Sequence, residues 1–354
     1  MKKKRFKKIL AIFGGGGLRG IAHAGVLKAL HELDLYPDEF CGTSVGSIIA
    51  GCAASGLEVS EIEDLAINIK KSDIMDFNLK GILTKGLGVN SLHSNDALKT
   101  FVEKTIPYSK FKDLKYPLYI NTVNINTGGN VVWGLNSMIS APIHQTILAS
   151  CSIPGVFPPV KIGRHYYVDG AVVNNLMLRV GRAIKADLVI AVNLKNLGSF
   201  SDFPRVENEN LLTIIDRADN ITSQMVFNAN LSRAKEVPLV FLQPEVSKRD
   251  IFDFNNIKSV FDEGYNCAMK NIPKHPLILG KKSINPLRPL YQVQTDICKG
   301  CGFCEMNCDG DLWSMIKGKA VYDAKKRKQC GGSMTCLRNC PYNAITLLEE
   351  GNTL

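Results

Sequence analysis

The sequence predicts an α/β protein in which a three-layer α/β/α domain precedes a small C-terminal α+β domain. From residue 7 to about 195, short apolar strands alternate with amphipathic helices, the pattern of helices packed on both faces of a sheet. Four of the eleven cysteines are scattered through the first 290 residues, whereas seven lie between Cys298 and Cys340. The end of the chain is therefore predicted to be a separate unit with its own chemistry.

The elements of the first domain follow from local patterns. The apolar run Ile9–Phe13 predicts a buried first strand, and the glycines after it lead into a helix near residues 20–33. A short strand near 39–42 precedes a second helix that begins after Ser44, and a further helix is predicted at 211–235. Other apolar runs predict strands at 118–125, 130–133, 166–168, 187–194 and 238–242.

The predicted domain boundaries follow changes in composition. A basic lead-in covers residues 1–8, and the first domain covers 9–280, because the helical pattern ends near Ile272 and prolines follow it. The Pro-rich and basic stretch 281–290 is predicted to be a linker, and the second domain is predicted to cover 291–354.

Bulk composition favours a soluble, cytoplasmic protein with no nucleic-acid partner. Apolar residues make up 45% of the chain and charged residues 21%, and no apolar run approaches the roughly 18 to 20 residues that a membrane span needs. The five apolar residues of Ile9–Phe13 are too few for a secretory signal, whose core has roughly 7 to 15. The odd number and clustering of the cysteines indicate metal ligation in a reducing compartment, not disulfides.

The net charge of +10 is concentrated at the start of the chain. Six of the first eight residues are basic, namely Lys2, Lys3, Lys4, Arg5, Lys7 and Lys8. Two interpretations of this lead-in stay open. It confers solubility, or it attracts the protein to anionic lipid headgroups at about 1 kcal/mol per basic residue, which would place the protein peripherally at the inner membrane surface.

A glycine-rich loop, Gly14–Gly20, separates the first strand from the first helix. Such a loop brings several N–H groups to one spot beside a helix N-terminus and binds an anion, either phosphate or a developing oxyanion. Residues 15–20 also satisfy G-x-G-x-x-G, so a flavin or nicotinamide oxidoreductase is an alternative. That alternative is weakened because no acidic residue clearly ends a second strand at the expected distance.

Two further motifs carry candidate catalytic groups. Gly42–Gly46 (GTSVG) matches the G-x-S-x-G nucleophile elbow, a tight strand-to-helix turn that leaves no room for side chains beside Ser44. The N-terminus of the following helix would stabilise negative charge near Ser44 Oγ, although a helix-capping serine would give the same pattern. Asp169–Ala171 places a carboxylate just past the apolar run 166–168, as either a cleft group or a turn residue.

In this order and spacing, the three motifs resemble the patatin-like phospholipase family over roughly residues 7–275. The segment 149–160 and the pair Asn174-Asn175 resemble the family's segments before and after the aspartate. Met177 departs from the pattern, because the family usually has a proline near this position. The resemblance implies a patatin-like three-layer α/β/α fold for the first domain.

The resemblance also implies a serine acyl-ester hydrolase of the phospholipase or lysophospholipase type, with a lipid acyl ester as substrate. Ser44 would be the nucleophile, and Asp169 would be the base that orients and deprotonates it. The implied oxyanion donors, and the residue that steadies their loop, are Gly15, Gly16, Gly17 and Arg19. A Ser–Asp dyad requires no histidine, and the six histidines are interpreted as structural.

The most specific motif is Cys298-x₂-Cys301-x₂-Cys304-x₃-Cys308. Three thiolates at this spacing can hold one iron–sulfur cluster while the fourth reaches a second cluster. Zinc is the main alternative, although zinc sites usually use pairs of C-x₂-C. A second half-motif repeats the frame with a serine in place of one cysteine and reads Cys330-x₂-Ser333-x₂-Cys336-x₃-Cys340-Pro341.

Together the two half-motifs resemble a bacterial two-cluster ferredoxin, with Asp309 where the first half would have its proline. The crossed ligation of that family implies one [4Fe-4S] cluster, whose ligands would be Cys298, Cys301, Cys304 and Cys340. The second site would be formed by Cys308, Cys330 and Cys336, with Ser333 in place of the fourth thiolate. It would hold a [4Fe-4S] cluster with an oxygen ligand, a [3Fe-4S] cluster, or none.

An iron–sulfur module on a hydrolase implies redox coupling or regulation, and with it a redox partner protein. The alternative function is a ferredoxin-type electron-transfer protein whose first domain is a non-catalytic lipid-binding or scaffold domain. The three intact motifs of the first domain argue against this alternative.

Overall fold

The structure is a computed structural model, and it describes residues 6–77, 91–136, 138–195, 237–280, 290–308, 310–330, 335–338 and 340–348, with isolated positions at 214, 218, 221, 222 and 226. These residues form two compact units. The first comprises the described residues up to Lys195 and from Val237 to Leu279, and the second comprises those from Gly280 onward together with the isolated positions between 214 and 226. Outside the described residues lie most of the lead-in, the linker before Leu290, most of the predicted helix at 211–235, Asp309 and Ser333.

The first unit is built on a mixed sheet. Its described strands are β1 (Ile9–Phe13), β2 (Glu39–Thr43), β3 (Asp76–Phe77), β4 (His93–Ser94), β5 (Leu118–Asn124), β6 (Gly129–Trp133), β7 (Val160–Ile162), β8 (His165–Asp169), β9 (Leu188–Val192) and β10 (Leu239–Leu242). The main sheet has the order β10-β9-β1-β2-β5-β8-β7, and β6 also pairs with β5. From β10 to β5 the strands are parallel, whereas β6, β7 and β8 join antiparallel. A separate antiparallel pair is formed by β3 and β4.

Helices cover this sheet in a three-layer arrangement. The described helices are α1 (Ile21–Glu32), α2 (Val45–Ser55), α3 (Val59–Ile67), α4 (Lys71–Ile74), α5 (Asp96–Thr105), α6 (Ile143–Ser150), α7 (Leu178–Ala183) and α8 (Ile257–Asn271). The central strands β1 and β9 are buried along their whole length, as expected for parallel strands with both faces covered. None of the described helices combines the length and apolar character needed to cross a bilayer.

The three-layer prediction is confirmed, and the predicted strands that can be compared agree with the structure within a few residues. The differences lie at the antiparallel edge. Strand β7 has only three residues, which is too few for an alternating pattern of apolar and polar residues to be recognised in the sequence. Lys8, the last residue of the basic lead-in, contacts the sheet domain, because its Nζ lies 3.3 Å from Glu39 Oε1 and donates to the Ile184 carbonyl. Lys8 therefore belongs to the folded unit.

The second unit is a small α+β structure. Strand β11 (Leu290–Val293) pairs antiparallel with β14 (Ile345–Leu348), and β12 (Trp313–Ile316) pairs antiparallel with β13 (Lys319–Tyr322). Two one-turn helices, α9 (Phe303–Met306) and α10 (Thr335–Arg338), complete it. Its buried core contains Tyr291, Leu312, Trp313, Ala320, Ala344 and Ile345 together with four cysteines, Cys298, Cys304, Cys330 and Cys336. Thiols thus form a large part of a very small core.

Candidate active site and cysteine cluster

Ser44 lies in a strained turn between β2 and α2. Its backbone has φ 54° and ψ −134°, a conformation that non-glycine residues rarely adopt. The turn is tight, because a Cβ on Gly42 would lie 2.4 Å from Ser47 Cα and one on Gly46 would lie 2.3 Å from the Phe13 carbonyl oxygen. The side chain is buried to 4% exposure, and the Ser44 N–H donates to Ser150 Oγ at 2.9 Å. This geometry is that of a nucleophile elbow.

Asp169 ends β8 and lies close to the same point of the sheet. Thr43 pairs with Asn121 on β5, and Asp169 pairs with Thr122, the next residue. Ser44 and Asp169 therefore leave their strands on either side of β5 at the same level. The carboxylate is 3% exposed, and its Oδ1 accepts a hydrogen bond from the Ala171 N–H at 2.8 Å.

A buried thiol lies next to this aspartate. Cys151 Sγ is 4.0 Å from Ser47 Oγ, and its pKa is raised well above the ordinary value, first by burial and then by the charge of Asp169. A thiol held neutral in this way is a weak nucleophile. Ser44 is therefore the better placed nucleophile of the two.

The glycine loop lies against the nucleophile. A Cβ on Gly15 would be 2.9 Å from Ser44 Cβ, so the backbone there approaches as closely as glycine permits. The Gly15 N–H donates to Asn175 Oδ1 at 2.7 Å, and in this arrangement it is not available to an oxyanion. Within the described part of the chain, no acceptor is found for the N–H groups of Gly16 and Gly17. These two remain the available donors.

Two long-range contacts hold this loop. Arg19 is buried, and its Nε donates to the Arg249 carbonyl at 2.7 Å, while Nη2 donates to the same oxygen. Asn175 forms hydrogen bonds with both backbone polar groups of Gly15, since its Nδ2 also donates to the Gly15 carbonyl at 3.3 Å. Sequence reasoning placed Asn175 after the aspartate but assigned it no role. The only feature of the sequence that could have indicated this role is the asparagine pair that follows Asp169.

His23 contacts the first residue of the glycine loop. Its Nε2 lies 2.7 Å from the Gly14 carbonyl oxygen, which can only accept, so Nε2 carries the proton. Complete burial lowers the pKa of His23 to about 4, although the hydrogen bond to Gly14 acts in the opposite direction. The imidazole is therefore neutral at physiological pH and acts as a structural donor.

In the second unit, five cysteines line one cavity, whose volume is about 320 Å³ including space open to solvent. Four of them are the predicted ligands of the first cluster, Cys298, Cys301, Cys304 and Cys340, and the fifth is Cys336. Backbone N–H groups point at two of these sulfurs, from Ala320 to Cys298 at 3.5 Å and from Ala344 to Cys340 at 3.3 Å. The Ala320 N–H is the main reason that the pKa of Cys298 is lowered. Burial instead raises the pKa of Cys304 to about 11.

The remaining cysteines of the unit influence one another electrostatically. Burial raises the pKa of Cys336 to about 12, and the charges of Cys330 and Cys308 raise it further. The Leu312 N–H donates to Cys308 Sγ at 3.4 Å. Ser333, the predicted fourth member of this group, lies outside the described residues. Because Cys336 also lines the cavity of Cys298 and Cys340, the two ligand groups that crossed ligation implies stay a prediction.

The cysteines do not converge on a single point. Among the described residues, no three cysteine, histidine or acidic side chains are arranged to hold one metal ion. A mononuclear zinc site requires such convergence, with every sulfur about 2.3 Å from the same ion. A cluster differs, because each thiolate binds a different iron. The zinc alternative and the iron–sulfur cluster therefore both stay predictions.

Comparison with known proteins agrees with the geometry of the first unit. Residues 11–180 match the profile of the family described as patatin-like phospholipase. The chain is 26% identical to lysophospholipase nte1 of Emericella nidulans over 74% of this chain and 18% of that protein. It is also 26% identical to mouse patatin-like phospholipase domain-containing protein 6, over 73% of this chain and 20% of that protein.

The solved structure of VipD from Legionella pneumophila is similar with a TM-score of 0.48 and 13% identity, covering 77% of this chain and 67% of that chain. The chain spans about a fifth of the length of the two curated relatives named above. Over residues 11–180 the chain is therefore similar to patatin-like phospholipase domains.

Proposed function

We propose that the protein hydrolyses lipid acyl esters through a dyad of Ser44 and Asp169. The observation that carries the proposal is the position of the strained Ser44 elbow. It lies against the glycine loop and is separated from the buried Asp169 by a single strand, β5. Burial of both side chains favours a site closed to bulk water, where fixed dipoles act strongly on a developing charge.

In the proposed mechanism, Asp169 accepts the proton of Ser44 Oγ as the oxygen attacks the ester carbonyl carbon. The N–H groups of Gly16 and Gly17 donate to the resulting oxyanion, and the N-terminus of α2 adds a partial positive charge. The C–O bond to the alcohol then breaks, and the proton on Asp169 passes to the leaving alkoxide. Water, deprotonated by Asp169, then attacks the acyl-enzyme carbonyl, the bond to Ser44 Oγ breaks, and the proton on Asp169 returns to Ser44 Oγ as the fatty acid leaves.

The dyad is tested by single and double substitution in the full chain. Ser44→Ala and Asp169→Asn should each reduce hydrolysis of a short-chain ester by at least about 10³-fold, and the double variant should be no worse, because the two groups act together. A fluorophosphonate should label wild type but not Ser44→Ala. Ser55→Ala, at the far end of the same helix, is the matched control and should keep activity. Wild-type turnover in Ser44→Ala would reject the proposal.

We also propose that the second unit holds a [4Fe-4S] cluster on Cys298, Cys301, Cys304 and Cys340. These residues fit the group in two respects. Their thiolates are soft ligands suited to iron–sulfur clusters, and they border one cavity although Cys340 is remote from the others in sequence. The N–H donors beside Cys298 and Cys340 would stabilise anionic sulfur. When bound, the cluster would supply reversible electron transfer.

Cys308, Cys330 and Cys336 would form the second site, as a [3Fe-4S] or oxygen-ligated [4Fe-4S] centre if it fills. Such a module supports redox coupling to the hydrolase and contact with a redox partner protein. A cytoplasmic location with peripheral contact at the inner membrane surface also stays a prediction. Because Lys8 is engaged within the fold, that contact would rest on Lys2, Lys3, Lys4, Arg5 and Lys7.

Iron and sulfide analysis of anaerobically purified protein tests the module. We expect about four irons per chain if one cluster forms, and about seven or eight if both do. Cys340→Ala should lose the first cluster, whereas Cys267→Ala, in α8 of the other unit, should keep it. Ser333→Cys should raise the iron content or convert a three-iron signal into a four-iron signal in electron paramagnetic resonance. Unchanged spectra in Cys340→Ala, or zinc without iron, would overturn the assignment.

A further inference from the structure

A second pocket opens at the opposite end of the sheet from Ser44. It lies beside Phe40 and Tyr116, at the starts of β2 and β5, and its empty volume is about 670 Å³ including space open to solvent. The ends of α1 and α2 and the first turns of α3 form its walls. The space within it that water-sized spheres can enter is about 170 Å³.

The floor of this pocket is apolar. Leu27, Phe40, Ala53 and Ile62 line it and are all more than nine-tenths buried. Leu35, Leu57 and Val59 extend the apolar lining towards the mouth. A hydrocarbon chain placed here would remove further apolar surface from water, at roughly 25 cal/mol per Å².

A cation stands at the mouth. Lys115 lines the pocket, and its side chain crosses Gly56, where an added Cβ would be 2.4 Å from Lys115 Cδ. Its Nζ lies 5.5 Å from the centre of the Tyr116 ring. Among the described residues, no carboxylate pairs with Lys115. Glu58, the acidic residue of the lining, caps α3 with its carboxylate.

Helix α2 joins this pocket to the candidate active site. Ser44 is the residue before the helix, and Gly56, in the wall of the pocket, is the residue after it. Eleven helical residues separate the two ends, a rise of about 16 Å. The pocket is therefore distinct from the site of ester cleavage, but one rigid element contacts both.

We propose that this pocket binds a free fatty acid, with the part of the hydrocarbon chain next to the carboxylate on the apolar floor and the carboxylate on Lys115. An apolar cleft beside the Lys115 ammonium, which has no carboxylate partner among the described residues, matches a ligand that is apolar along its length and anionic at one end. The identification of that ligand as a fatty acid rests on the proposed function, because a fatty acid is the product of acyl-ester hydrolysis. The site would thus bind the reaction product at the far end of α2, the helix that begins directly after the nucleophile.

Titration with a dansyl-labelled fatty acid tests this site. The full-length wild-type chain is first labelled to completion with a short-chain fluorophosphonate, which bonds to Ser44 and so blocks the candidate active site. We expect one probe per chain to remain bound. Lys115→Gln should weaken this binding about tenfold, the loss of one charge-assisted hydrogen bond, and should not change binding of the matching dansyl alcohol. Val59→Phe, which fills the pocket, should weaken both probes.

Lys112→Gln is the matched control, because this exposed lysine belongs to the same segment and does not line the pocket. Equal fatty-acid affinity in wild type, Lys115→Gln and Val59→Phe would overturn the proposal, as would complete displacement of the probe by the phosphonate. Failure of the hydrolase assay is a separate result. If Lys115-dependent binding persisted without hydrolysis, the pocket would stand as a fatty-acid site, and only its link to product would be lost.

Discussion

At the scale of single residues, His23 links the glycine loop to the pH dependence of stability. Its pKa is lowered to about 4 by burial, whereas a histidine in an unfolded chain titrates near 6.5. Between these two values the unfolded chain takes up a proton that the folded chain does not. The free energy of unfolding is therefore unaffected by His23 above pH 6.5, and it should fall by up to about 3 kcal/mol as the pH approaches 4.

Urea unfolding of wild type and His23→Gln at pH 7 and pH 4.5 measures this contribution. Glutamine keeps an N–H donor for the Gly14 carbonyl but cannot be protonated, so the variant should lose less stability on acidification than wild type does. His31→Gln, at an exposed position of α1, serves as the control and should behave as wild type. Identical losses in wild type and His23→Gln would show that His23 does not carry the effect.

At the scale of elements, α1 and α8 meet backbone to backbone. A Cβ on Gly264 would lie 1.9 Å from the Ala22 carbonyl oxygen, and one on Gly25 would lie 2.0 Å from the Phe261 carbonyl oxygen. Each helix thus presents a glycine to the backbone of the other. This contact fixes α1, which follows the glycine loop directly, and so it positions the loop as well.

Gly264→Ala should therefore destabilise the first unit although alanine is the better helix former. Helix propensity alone would favour alanine by about 1 kcal/mol, but separating two packed helices costs about 1 to 3 kcal/mol. Thermal unfolding followed by circular dichroism checks the sign. Gly129→Ala is the control, because an added Cβ there meets only Thr127 Oγ1, at 3.3 Å. An unchanged or higher midpoint in Gly264→Ala would contradict the packing argument.

At the scale of the whole molecule, the sequence allowed prediction of those strands, helices and turns that depend on short local patterns. The strand β1, the helices α1 and α2 and the elbow at Ser44 follow from apolar periodicity and glycine spacing over short stretches. The antiparallel edge could not be predicted in the same way, because β7 is short and the pairing of β8 with β5 joins distant segments. The hydrogen bond from the Gly15 N–H to Asn175, 160 residues away, could not be predicted from the sequence either.

The two units also differ in how far the sequence could determine their sites. The crossed grouping of the second unit's cysteines is implied only by the resemblance and stays a prediction, because no local rule brings Cys340 to Cys298. In the first unit, motifs identified the catalytic candidates but not their supports. Arg19 contacts the carbonyl of Arg249, 230 residues away, and no spacing rule anticipates that partner. Long-range polar contacts of this kind require the folded structure.

The backbone conformation at Ser44 restricts which nucleophilic side chains can replace serine at this position. Threonine carries the same hydroxyl, but it branches at Cβ, and a branched residue at φ 54° is a severe outlier. Cysteine is unbranched and fits the turn as serine does. Because Gly42 and Gly46 are also confined by their neighbours, the elbow cannot relax to admit a branched residue. Among descendants of this fold, exchange of the nucleophile is therefore open to a thiol and closed to threonine.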